Sequence, residues 1–83
     1  MSTPQPLNDP ISVEASLKGD RLQPQAITWR GQTHRVTAVG RQWSEGDNTH
    51  VLVELHDGSR MEIALGTNLT WHARRFWPAT TAV

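Results

Sequence analysis

The run Ile27-Thr28-Trp29-Arg30-Gly31-Gln32-Thr33-His34-Arg35-Val36 sets two strand-forming stretches on either side of a glycine turn. Each flank carries β-branched or aromatic residues, and Gly31 supplies the positive φ that a short hairpin loop commonly needs. The same pattern recurs along the chain, which holds no amphipathic helical stretch of useful length. Ile11 to Ala15 alternates apolar and polar residues. Lys18 to Pro24 reads as a turn or loop around Gly19 and Pro24, and a second strand runs from about Gln25 to Trp29. In Val51 to Leu55 the residues Val51, Val53 and Leu55 share the inner side. Ser59 to Leu65 turns Met61, Ile63 and Leu65 inward and Arg60, Glu62 and Ala64 outward, with Asp57-Gly58 as a two-residue hairpin signal before it. Leu69 to Ala73 resumes the alternation, and Pro78 stops it after Trp77.

The third strand, about Thr33 to Trp43, changes parity partway. Val36 and Ala38 share one face, whereas Val39, Arg41 and Trp43 fall on the other, and Gly40 sits in between. A glycine at a parity switch predicts a β-bulge or sharp bend. Together these elements predict an all-β fold, a small antiparallel meander of about six strands curling into a partly closed barrel, because a flat meander leaves its edges open. The barrel-like domain is expected over residues 11–78, after a disordered lead at 1–10 and before a frayed tail at 79–83. Its expected core is Ile11, Val13, Ile27, Trp29, Val36, Val39, Val51, Val53, Leu55, Met61, Ile63, Leu65, Leu69 and Trp71. A chain of 83 residues buries a thin core, and with no cysteine it has neither disulfides nor thiolate-bound metal to staple it.

Much of the chain fits a known pattern. Ile11-x-Val13, the loop from Gly19 to Pro24, Trp29-Arg30-Gly31 followed by Arg35-Val36, then Val39 and Trp43, resemble a small uncharacterised bacterial all-β domain family. Asp57-Gly58 and the closing Trp71-His72-Ala73-Arg74-Arg75-Phe76-Trp77 occupy the places of that family's later hairpin and last strand. The resemblance spans residues 11–78. Ile27 stands where an aromatic is common, His34 where a tyrosine is common, and Pro78 where an acid closes the pattern. Members occur alone or near relatives of translesion DNA polymerases, so the resemblance implies a DNA-transaction role as one expectation.

The charges balance, eight Lys+Arg against eight Asp+Glu. That argues against a protein holding duplex nucleic acid by bulk electrostatics. Their distribution is uneven: Arg30, Arg35 and Arg41 have no acid between them, and no acid follows Glu62. Arginine beside tryptophan makes Arg30, Arg35, Arg41, Trp43, Arg74, Arg75 and Trp77 the candidate binding surface. Small barrels hold single strands by a cationic groove with aromatic platforms, and exposed arginine and tryptophan equally anchor protein interfaces. Overall neutrality favours a protein partner, with single-stranded nucleic acid as the alternative.

Other chemistry finds less support. His34, His50, His56 and His72 form no pair at metal-ligand spacing, so no metal and no other cofactor is expected. Ser44, Ser59 and the threonines fall in turns or on outer faces, and no enzyme is expected. No apolar run approaches the ~20 residues that span a bilayer. The first ten residues lack the features of a secretory signal, and the expected location is the cytoplasm. A monomer is expected, with edge pairing as the route to a weak dimer.

Overall fold

The computed structural model describes residues 4–79. Six strands, β1 (Gln5–Lys18), β2 (Arg21–Trp29), β3 (Gln32–Glu45), β4 (Asn48–Leu55), β5 (Arg60–Leu65) and β6 (Trp71–Trp77), follow one another without a helix. Each pairs antiparallel with the next, and β6 pairs back onto β1, so the meander is a closed barrel. Its interior is filled by Ile27, Val51, Val53, Leu55, Met61, Ile63 and Ala73, all buried. Leu22, Val36, Val39, Trp29, Trp71 and Phe76 are among the half-buried residues packed around them.

Closure comes from a segment with little strand character of its own. Residues 5–10, expected in a disordered lead, form the first half of β1 and pair with β6 through Gln5↔Phe76, Pro6↔Arg75, Asp9↔Ala73 and Pro10↔His72. Pro6 and Pro10 hide this strand from a propensity reading. The open edge of β6 supplies the pairing, and Leu7 adds an apolar side chain against the core. Residues 1–3 and 80–83, within the lead and tail named above, lie outside the described residues.

Turn geometry follows glycine. Gly19, Gly31 and Gly46 have positive φ in two-residue loops closed by Lys18↔Arg21, Trp29↔Gln32 and Glu45↔Asn48. At the second loop Arg30 also has a positive φ of 51°. Two successive positive φ values are the signature of the type I′ turn, whose twist suits paired strands. The Asp57-Gly58 loop differs from its two-residue expectation. Leu55 N donates to Ser59 O, and Gly58 N donates back to Leu55 O. His56, Asp57 and Gly58 therefore form a three-residue loop, with Ser59 N and Oγ both donating to Asp57 Oδ1.

Two other expectations change. The segment Arg21–Pro24 is strand and not loop; Pro24 is buried opposite Ala15 at a bulge. Leu69, expected in the core, is 78% exposed with a φ of 63°. It sits in the turn closed by Gly66 N to Thr70 O, where a left-handed backbone swings the side chain away from the sheet. Leu65 and Trp29 are half-buried rather than central.

The parity switch in β3 resolves into two bulges. Thr37 is the extra residue between Val36↔Leu55 and Ala38↔Glu54, and Gly40-Arg41 span the second, between Val39↔Val53 and Gln42↔Val51. A further bulge at Arg74, between Glu62↔Arg75 and Ile63↔Ala73, lets both Ala73 and Phe76 face inward.

Candidate functional site

Register places the seven candidate residues in three regions. Arg30 belongs to one end of the barrel. There Asp9 accepts from Trp29 Nε1 at 2.9 Å and from Arg30 Nε at 3.2 Å. The Arg30 guanidinium also lies 4.5 Å from the centre of the Trp29 ring, and Phe76 packs against that ring at 5.0 Å. The Trp29 hydrogen bond, helped by Arg30, holds the Asp9 carboxyl below its ordinary value. This constellation holds a strained turn in place: an arginine at positive φ is unfavourable, and its two partners offset that cost.

The outer face of β3–β6 carries the second group. Trp43↔His50, His50↔Ala64 and Ala64↔His72 form one row across four strands, all on the outward side. Outer-face residues are usually wet, yet His50, Glu62 and Ala64 are buried. Trp43 stacks on His50 at 5.3 Å with a 15° interplanar angle. His50 Nδ1 meets Glu62 Oε2 at 2.8 Å, and Arg75 Nη1 reaches the other Glu62 oxygen at 3.4 Å. His50 Nε2 faces Glu45 more loosely, at 3.8 Å. Trp77 lies on the same face opposite Arg60, half-buried. Arg74 stands apart at the β6 bulge, 3.4 Å from Asn8 Oδ1.

The third region is a break in the barrel wall. β2 and β3 pair only from Ala26↔Arg35 to Trp29↔Gln32. Beyond Arg35 the two strands part: β2 continues along β1, β3 turns to β4, and Arg35 O accepts from His56 N. The gap is crossed by a side chain, with Leu22 N donating to Gln42 Oε1 at 3.1 Å. An open groove of about 450 Å³ results, lined by Arg21, Pro24, Arg35, Val36, Val39 and their neighbours. A second hollow of about 370 Å³, lined by Asp20, Arg21, Arg41 and Gln42, shares Arg21 with it. Arg41 also lies over Trp43, 5.2 Å from the ring centre.

The structure thus brings Arg35 and Arg41 to two adjoining hollows that share Arg21, Trp43, Arg75 and Trp77 to one outer face, and Arg30 and Arg74 to neither. Sequence reasoning missed three participants. Arg21 falls in a stretch that reads as a loop, and nothing local marks a surface histidine or glutamate such as His50 and Glu62 as buried. Their burial follows from cross-strand neighbours, which only register reveals.

Among the described residues no three His, Cys, Asp or Glu side chains are grouped to hold a metal. Nor, among those residues, is any helix long and apolar enough to cross a membrane. Compared with known proteins, the chain matches no family model, no curated protein and no solved structure.

Proposed function

We propose that this protein is a small non-catalytic β-barrel module that binds another protein. The observation that carries the reading is how the arginine–tryptophan set is engaged. A nucleic-acid strand needs free ring faces beside free cations. Here Trp29 is engaged by Arg30 and Phe76, and Trp43 by His50 and Arg41, while Arg30 and Arg75 are paired to Asp9 and Glu62. What stays open is a sculpted surface of mixed apolar and charged character, the usual make-up of a protein interface. A cytoplasmic setting agrees with a cysteine-free chain.

A second reading, binding of single-stranded nucleic acid, is favoured by one observation. Arg21 and Arg35 line the groove and Arg41 the hollow beside it, with no carboxylate partner among the described residues. The resemblance to domains near translesion polymerases points the same way. Titrating the isotope-labelled protein with single-stranded DNA at low salt tests both readings. Unmoved indole signals of Trp43 and Trp77 are expected. Saturable shifts that fade steeply with added salt would overturn the protein-partner reading, since phosphate contacts carry that salt dependence.

A further inference from the structure

We infer that the groove along the parted β2–β3 seam docks an extended acidic segment of a partner protein, one in which carboxylates alternate with apolar side chains. The inference rests on the protein-binding reading above and names the chemistry of the partner.

Charge sets the first half of this specificity. Arg35 stands at the last rung before the strands part, Arg21 lines both hollows, and Arg41 lies at the β3 bulge beyond. None of the three has a carboxylate within ion-pair distance among the described residues, and Asp20 is the one acid lining the two hollows. Arginine left without a carboxylate on a charge-balanced chain is matched by an acidic ligand, and its planar fork suits carboxylates.

Apolar surface sets the second half. Where the wall is missing, apolar side chains line the groove: Pro24 is buried, and Val36 and Val39, packed on the core, are half-buried. An extended segment presents every second side chain to one face. It can set apolar groups on this floor while its carboxylates meet the arginines on the rim. No aromatic ring lines either hollow, so bases would find no stacking platform there.

Docking proceeds through side chains and not by strand addition. Leu22 N points across the seam to Gln42, and strand alternation turns Pro24, which has no N–H, the same way. The bulges at Thr37 and Gly40-Arg41 break the regular spacing of the facing edge. Proline and bulges are the devices by which edges resist pairing with another chain, so a second copy of this protein is a poor occupant.

The test uses the full chain, isotope-labelled, at low salt. It is titrated with a short peptide alternating glutamate and valine, with the glutamine–valine counterpart, and with oligothymidylate of matched length. The glutamate peptide is expected to shift the Arg21, Arg35 and Arg41 side-chain signals and the amides of residues 36–39 to saturation. The glutamine peptide should bind roughly tenfold more weakly, the combined effect of several partly exposed ion pairs. Arg21→Gln, Arg35→Gln and Arg41→Gln should each weaken binding by about two- to fivefold. Arg60→Gln, outside the groove, should leave binding unchanged, with the amide spectrum of each variant reporting its fold.

Failure of the glutamate peptide to saturate, or equal losses in Arg60→Gln, overturns the acidic-segment assignment and leaves the protein-binding reading standing. Oligothymidylate moving the same signals at lower concentration overturns both. Concentration-dependent shifts of the groove signals without any ligand, with dimer in sedimentation, would give the groove to a second copy and also overturn the assignment.

Discussion

The β4–β5 and β2–β3 seams join neighbouring strands of one barrel and end differently. The first runs from Thr49↔Leu65 to Glu54↔Arg60 with no register shift. The second stops at Ala26↔Arg35, although both strands continue well beyond it. Clean alternation explains the closed seam: Val51, Val53, Met61 and Ile63 all face inward and bury together, so a slipped register would expose every one of them. At the open seam a proline and two bulges interrupt the alternation, and Gln42 replaces a backbone ladder with one side-chain bond. Continuous pairing seals the wall, whereas interrupted pairing leaves half-buried apolar side chains facing a groove beside arginines that have no carboxylate partner among the described residues.

Truncation should separate the two seams most strongly. Ile63→Ala, at a fully buried site in the closed seam, should cost about 2–5 kcal/mol. Val39→Ala, half-buried beside the open one, should cost about 1 kcal/mol or less. Urea unfolding midpoints check both, and equal costs would break the contrast. Next in size is Glu62→Ala, which leaves His50 buried without its partner and should cost about 1–3 kcal/mol. Gln42→Ala removes the bond that crosses the gap. It should cost about 0.5–1.5 kcal/mol and free the Leu22 amide to exchange with solvent.

Acid should produce a smaller effect, at the turns. The Asp9 carboxyl is held below its ordinary value by the Trp29 hydrogen bond first, and Asp57 by those from Ser59. Each group therefore adds stability that is fully present above the unfolded carboxylate value of about 3.9. That stability is lost as pH falls through the lower folded value. Melting temperature should drop on acidification below about pH 4, and the drop should shrink in Trp29→Phe for Asp9 and in Ser59→Ala for Asp57. The smallest effect belongs to the groove. Arg21→Gln and Arg35→Gln should each leave stability within about 0.5 kcal/mol, because no ion pair among the described residues uses their charges.

Much of this architecture was legible where local rules suffice. Val51 to Leu55 and Ser59 to Leu65 announce their inner faces by period two, and Gly40 marks a bulge by sitting at a change of parity. Residues 5–10 escaped because Pro6 and Pro10 carry no strand signal; the free edge of β6 recruits them. Leu69 escaped because its turn geometry, and not its hydrophobicity, decides where it points. Arg35, Arg41 and Trp43 could be named as candidates from composition. Their division between groove and outer face could not, since it depends on where β2 leaves β3. The His50–Glu62 pair is likewise a product of register alone.

Native-state hydrogen exchange, read amide by amide, tests the contrast between the seams most directly. The amides of Val51 to Leu55, on a strand paired on both sides, should exchange only with global unfolding. Those of Arg21 to Gln25 and Ala38 to Arg41 that face the gap should exchange faster by orders of magnitude, Leu22 excepted while Gln42 remains. Equal protection along both seams would mean that β2 and β3 stay paired to their ends, and the groove assigned to a partner would not exist.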